Sequence, residues 1–123
     1  MMTFTHLEES ILDAICAVER ADTPALREVL STAIVTTREN TGHGFYTHFR
    51  TTAPESAHWK HIINGPCARM LDMGMDAMMG FILWCSEQGP TTLEGFQLGD
   101  AAGDTIDLRS RNLETLRFSE IAY

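Results

Sequence analysis

The chain has 123 residues, of which 44% are hydrophobic and 21% charged. This length and composition predict one globular domain spanning residues 1–123. Acidic residues outnumber basic ones by 17 to 9, which gives a formal charge of -8 and disfavours binding to nucleic acid or to an anionic membrane. No basic residue precedes Arg20 and the apolar run 77–86 is short, so we expect neither a signal peptide nor a membrane span.

The three cysteines, Cys16, Cys67 and Cys85, are widely spaced and odd in number. Small secreted proteins that depend on disulfides usually carry an even number of cysteines at regular spacing. The cysteine content therefore predicts free thiols and a cytoplasmic location.

Apolar residues recur every three or four positions near the N terminus, as they do on one face of a helix. They are Leu7, Ile11, Ile15 and Val18. Acidic side chains such as Glu8 and Glu9 fall mostly off this stripe, so we predict an amphipathic helix that ends near residues 20–22. Thr5 precedes Glu8 by three positions, the spacing at which a hydroxyl and a carboxylate cap each other's backbone N–H groups.

A second, shorter helix is predicted directly after the first. Thr23 followed by Pro24 offers an N-cap with proline at the first helical position. A new apolar stripe follows, formed by Leu26, Val29, Leu30 and Ala33.

From residue 34 the apolar pattern changes from helical to alternating. Residues 34–37 are β-branched, residues 40–44 favour a turn and residues 45–52 are extended in character, which predicts a β-hairpin. One face of its second strand carries Phe45, Thr47 and Phe49, and the other carries Tyr46, His48 and Arg50. Residues 53–66 are predicted to form the longest loop, which could include a helical turn over 56–62.

A second hairpin is predicted from an apolar strand at 79–85, a turn at 86–90 and a partner strand at 91–98. Residues 67–71 are short enough for a strand, but the methionine spacing over 67–79 also suits a helix, and periodicity leaves both open. Near the C terminus Leu116, Phe118 and Ile121 alternate as in a closing edge strand. We therefore predict an α+β fold, with two N-terminal helices packed on a mainly antiparallel β-sheet of four to six strands built from hairpins.

Two segments carry a resemblance to known proteins. Residues 41–49 read TGHGFYTHF, and residues 80–84 and 93–100 read GFILW and LEGFQLGD. They resemble the TGxGF(F/Y)T and GFxL…LEG(F/Y) hairpins of small, mostly uncharacterised bacterial cytosolic proteins. In size, charge and organisation the chain is also similar to immunity proteins of bacterial toxin systems, including those of contact-dependent inhibition. That similarity implies a protein that binds and neutralises a toxin.

Five potential metal ligands lie within a short stretch of the chain. They are His43, His48, His58, His61 and Cys67. On a helical turn the three-residue spacing of His58 and His61 would place both imidazoles on one side, which with Cys67 leaves open a small metal-dependent or ligand-binding enzyme. A second matched ligand pair and a motif such as H-E-x-x-H are missing, so we predict no metal, no cofactor and no catalytic site.

Glu94 is predicted to share a strand face with Phe96 and Leu98. A carboxylate on an otherwise apolar face fits a ligand pocket, an exposed aromatic surface, or an ion pair with Arg50 or Arg69. The methionines at 70–79 likewise fit either core packing or an adaptable docking surface. The predicted partner-binding residues are Glu87, Glu94, Phe96, Asp100, Asp104 and Asp107.

These observations favour a non-catalytic binding protein, namely an immunity or inhibitor protein that neutralises a basic bacterial toxin, such as a nuclease, by stoichiometric binding. Acidic side chains around the second hairpin would steer such a partner. The alternatives are the metal-dependent or ligand-binding enzyme and a structural homodimer built on an exposed sheet face. We expect a monomer or a homodimer.

Overall fold

The computed structural model describes residues 3–19, 25–41, 43–52, 59–71, 77–98 and 112–123. In these ranges the chain forms two α-helices, six strands and a short 3-10 helix, which is an α+β fold as predicted. The helices are α1 (His6–Glu19) and α2 (Leu26–Leu30). The strands are β1 (Ile34–Asn40), β2 (Gly44–Arg50), β3 (Ile62–Met70), β4 (Met78–Ser86), β5 (Gly89–Leu98) and β6 (Phe118–Ala122), with the 3-10 helix at Leu113–Thr115.

The six strands form one antiparallel sheet in the order β1-β2-β5-β4-β3-β6. The two predicted hairpins are confirmed as β1-β2 and β4-β5, and they lie side by side because β2 pairs with β5. The predicted closing strand is confirmed as β6, which pairs with β3 at one edge. Both hairpins therefore contribute to one continuous surface.

Strand β3 corrects the predicted loop at 53–66. The strand begins at Ile62 and runs through Gly65 and Pro66, with a shift in pairing between Asn64 and Cys67. The shift accommodates Pro66, because a bulge relieves the pairing where a proline has no N–H to donate. Over 67–70 and 78–79 the strand alternative is confirmed and the helix is wrong, while residues 53–58 and 72–76 lie outside the described residues.

The start of α1 is capped as predicted. Glu8 Oε1 accepts a hydrogen bond from the backbone N–H of Thr5 at 2.8 Å, and Thr5 Oγ1 accepts one from the N–H of Glu8 at 3.2 Å. For α2 the N-cap is Ala25, which makes no side-chain cap hydrogen bond. The predicted cap at residues 23–24 lies outside the described residues.

The buried face of α1 differs from the predicted stripe at its ends. Val18 is 57% exposed, and the buried face instead includes Cys16. Glu8, which was expected mostly off the stripe, is 1% exposed. Its burial is tolerated because Arg38 pairs with it, with Nη2 at 2.8 Å and Nε at 3.1 Å, and because the hydroxyl of Thr47 donates to it.

One buried cluster joins side chains of the two helices to side chains of the sheet. Its largest members from the helices are Leu7, Ile11, Ile15 and Leu26, and those from the strands are Phe45, Ile63, Met70, Met79, Phe81, Leu83 and Leu93. Two of the methionines that could have formed a docking surface, Met70 and Met79, are therefore core residues. Gly95 belongs to this side, because a Cβ there would lie 2.7 Å from Phe45 Cε1 and 2.8 Å from Met79 Cε.

All three cysteines are free, as expected. Cys16 and Cys85 are buried, and burial raises the pKa of both thiols, that of Cys85 to about 11. Among the described helices, none has both the length and the apolar character needed to cross a membrane.

Candidate binding face

The face of the sheet opposite the buried cluster carries aromatic, aliphatic and acidic side chains that remain accessible. We call it the open face. It is formed by Glu39, Tyr46, His48, Ile62, Ile82, Trp84, Glu94 and Phe96. Each of these side chains is half-buried or exposed, and they come from five neighbouring strands.

Strand pairing arranges the open face in three rows. Glu39, Tyr46, Glu94 and Ile82 are paired in succession across β1, β2, β5 and β4. The next row is formed by His48, Thr92, Trp84 and Ile62, and the third places Phe96 between two glycines, Gly44 and Gly80. Glu94 therefore lies in the central row, on an interior strand.

Glu94 is bound by an aromatic donor. Its Oε1 accepts a hydrogen bond from Trp84 Nε1 at 3.0 Å. Tyr46 is paired with Glu94 across β2 and β5, and the negative charge of Glu94 is the largest cause that raises the pKa of Tyr46 above its usual value, followed by burial. The structure thus gives Glu94 a partner other than the arginines considered from the sequence, and Arg69 Nε binds Glu120 at 2.8 Å.

His48 borders this cluster. Its ring stacks on that of Tyr46, with centroids 6.2 Å apart and an interplanar angle of 7°. Nδ1 lies 3.0 Å from the Thr92 hydroxyl and Nε2 lies 2.6 Å from Glu39 Oε2. Both ring nitrogens of His48 are therefore engaged, and the imidazole is fixed beside the aromatic row.

The ring of Phe96 lies over the backbone of a glycine in the neighbouring strand β4. A Cβ on Gly80 would lie 2.7 Å from Phe96 Cζ, so the ring lies directly above the glycine. The ring remains half exposed. At the opposite end of the face, His61 packs edge-on against Trp84, with centroids 6.0 Å apart.

Of the predicted partner-binding residues, the structure brings Glu94 and Phe96 together on the open face. Glu87 is exposed in the turn between β4 and β5. Asp100, Asp104 and Asp107 lie outside the described residues. The sequence pattern did not identify Trp84 and Ile82 as residues of this face, because their strand is apolar on both faces and alternation alone does not distinguish them from the core.

The potential metal ligands considered from the sequence are not brought together in the part of the chain that the structure describes. Within those ranges, no group of three or more His, Cys, Asp and Glu side chains is close enough to hold a metal ion. His43 is exposed before β2, His61 packs on Trp84 and Cys67 is half-buried on β3. His58 lies outside the described residues.

A separate groove of about 320 Å³ lies between α1 and α2. Its lining includes Phe4, Leu12, Cys16 and Leu30. Asp13 and Arg27, which form an exposed ion pair at 3.0 Å, also line it. The charged side chains among the described residues of this lining, Glu9, Asp13 and Arg27, are all exposed, so the groove offers less specific recognition than the open face.

Comparisons with protein-family models, with curated proteins and with solved structures find no match to this chain.

Proposed function

We propose that this protein is a non-catalytic binding protein whose open face docks a basic protein partner. The observation that carries the proposal is the position of Glu94, whose carboxylate lies in the central row of the open face and is bound by Trp84. A half-buried carboxylate selects for a cationic group on the partner. The aromatic side chains around it are of the type that contributes most of the affinity at protein interfaces.

The charge of the whole chain supports a basic partner. A formal charge of -8 attracts a basic protein at long range and raises the association rate. Glu87, in the β4-β5 turn, is exposed and can contribute to this attraction. We propose the same role for Asp100, Asp104 and Asp107. These carboxylates would act on the rate of association, whereas the open-face rings would act on the rate of dissociation.

We further propose that both helices pack against the other face of the sheet, which leaves the open face for the partner. Three observations support this arrangement. Side chains of both helices share a buried cluster with the strands. Ile15 Cδ1 lies 3.1 Å from the position that a Cβ on Gly65 would take, and Glu8 of α1 is hydrogen-bonded by Thr47 of β2.

The narrower form of the proposal is that the partner is a basic bacterial toxin, such as a nuclease, and that this protein is its immunity or inhibitor protein in the cytoplasm. A nuclease must hold phosphates and therefore carries a positive site, which an acidic surface can cover. Support for this form comes from the resemblance in size, charge and organisation described above.

Affinity capture with a matched pair of variants tests the proposal. We expect wild-type protein to retain a basic protein that the double variant Trp84→Ala/Phe96→Ala does not retain. The control is Val18→Ala/Leu71→Ala, which removes two exposed apolar side chains that lie outside the open face. Capture of the same partner by wild type and by the open-face variant would contradict the proposed face, and self-association through that face would favour the homodimer.

Binding kinetics with the captured partner distinguish long-range attraction by acidic side chains from direct contact by the open-face rings. Replacing Glu87, Asp100 and Asp104 together by alanine should slow association several-fold at low salt and have less effect at high salt, where charges are screened. Phe96→Ala should mainly speed dissociation. An association rate that responds neither to salt nor to the triple replacement would mean that the acidic side chains serve solubility instead.

A further inference from the structure

The carboxylate of Glu94 lies between side chains of two neighbouring strands. Trp84 on β4 donates to Oε1 at 3.0 Å, and Tyr46 on β2 is the residue paired with Glu94 on the other side. An ionised carboxylate has about four positions at which it can accept a hydrogen bond. The indole N–H therefore orients the carboxylate and leaves it able to accept further donors from a ligand.

Ring surface and a second carboxylate adjoin this group. Tyr46 lies between Glu94 and Glu39 in the central row, and Phe96 follows two residues after Glu94 on the same face of β5. The faces of aromatic rings are negative and attract cations within about 6 Å of the ring centre. The combination of an oriented carboxylate, accessible rings and a nearby second negative charge is suited to a cation that can both stack and donate hydrogen bonds.

Arginine meets both requirements better than other cationic groups. Its guanidinium is planar, weakly hydrated and able to donate paired hydrogen bonds to a carboxylate while it stacks on a ring. The ammonium of lysine is compact and strongly hydrated, so it gains less from ring surface. A second copy of this chain would set Glu39 and Glu94 against their own counterparts, in addition to the repulsion between two chains of charge -8.

We propose that Glu94, Tyr46 and Trp84 form a receptor for an arginine side chain of the basic partner. This receptor rests on the proposed function, because it specifies which group of the basic partner the open face recognises. In it Glu94 accepts N–H donors from the guanidinium, and the neighbouring rings cover the guanidinium plane.

The test is a titration of isotope-labelled protein with two short peptides that differ only in having arginine or lysine. The reporter is the indole N–H resonance of Trp84, assigned with the variant Trp59→Phe, since the chain has two tryptophans. We expect the arginine peptide to shift this resonance and to bind about tenfold more tightly than the lysine peptide.

Two matched variants identify the carboxylate responsible. Glu94→Gln keeps the shape of the side chain and removes its charge, so it should lower the arginine affinity about tenfold and abolish the preference over lysine. Glu28→Gln removes the same charge from an exposed position on α2 and should leave the affinity within about twofold of wild type. Unchanged amide spectra elsewhere would show that both variants are folded.

Several results would overturn the receptor. They are the absence of a shift at Trp84 with the arginine peptide, equal affinity for the two peptides, and an arginine affinity that Glu94→Gln leaves unchanged. The proposed function would survive such a result if a basic partner still required Trp84 and Phe96. Arginine selectivity without any partner that requires these residues would instead overturn the proposed function alone.

Discussion

Replacing Glu8 by alanine should destabilise the protein far more than replacing an exposed carboxylate, because Glu8 links α1 to two strands from a buried position. Its carboxylate accepts hydrogen bonds from Arg38 on β1, from the hydroxyl of Thr47 on β2 and from the backbone N–H of Thr5. The variant removes the acceptor for all of these donors. It also removes the Glu8 carboxylate from the guanidinium of Arg38, whose side chain is 16% exposed.

The expected loss in free energy of unfolding is several kcal/mol. Removing one partner of a buried ion pair costs about 3–5 kcal/mol, and the partial exposure of Arg38 places this case near the lower end. Loss of the reciprocal cap with Thr5 adds about 1 kcal/mol. At about 4 °C per kcal/mol for a domain of this size, the melting temperature should fall by about 15 °C.

Urea unfolding followed by circular dichroism measures this loss. Asp13→Ala is the matched control, because it breaks an exposed ion pair with Arg27 of similar length, 3.0 Å, and should cost about 0–1 kcal/mol. Glu8→Gln, which can still accept and cap, should lie between the two. If Glu8→Ala and Asp13→Ala proved equally mild, the reasoning that Glu8 anchors the helix to the sheet would be refuted.

Three further predictions follow from burial and charge. Gly95→Ala should lower the free energy of unfolding by about 1–3 kcal/mol in urea titrations, since the added methyl would overpack buried rings. Gly80→Ala should cost less, because Phe96, whose ring lies above Gly80, is only half-buried. In the native protein iodoacetamide should alkylate Cys67 before Cys16 and Cys85, because those two thiols are buried and their raised pKa values leave little thiolate. Peptide mass spectrometry measures the three rates of alkylation, and equal rates would contradict this prediction. Glu94→Gln should move the pKa of Tyr46 down towards its usual value, because the negative charge of Glu94 no longer disfavours the phenolate. An unchanged ultraviolet titration of Tyr46 would contradict the proximity of these two side chains.

The features that the sequence predicted correctly depend on neighbours close along the chain. The Thr5–Glu8 cap spans three residues, and the two hairpins are marked by a change in apolar period and by turn residues. Local chemistry is sufficient in such cases, because the groups that interact are brought together by one turn of helix or one reversal of direction. The alternation of Tyr46 and His48 with Phe45 and Thr47 likewise gave the correct faces of β2.

The features that the sequence did not predict depend on distant partners. Glu8 is buried because Arg38, thirty positions further along, reaches it from β1. Strand β3 runs through Gly65 and Pro66, which locally favour a loop, because β4 on one side and β6 on the other hold it in the sheet. Hydrogen bonds to neighbouring strands override the local preference, and no pattern within 62–70 reveals those neighbours.

The candidate site depends on the register of a single hairpin. Ser86 pairs with Gly89, whose φ of 123° is a conformation that residues with side chains rarely adopt. A shift in the pairing between Trp84 and Cys85 then sets β4 against β5 so that Ile82 pairs with Glu94. Trp84 is then the diagonal neighbour that donates to the Glu94 carboxylate. A slip of one residue would turn the other face of β5 outwards and exchange Glu94 for Leu93. The turn that carries Glu87 and the pairing shift between Trp84 and Cys85 together determine whether the chain presents an acidic aromatic surface or an aliphatic one. The composition of the β4-β5 segment alone could therefore not locate the site.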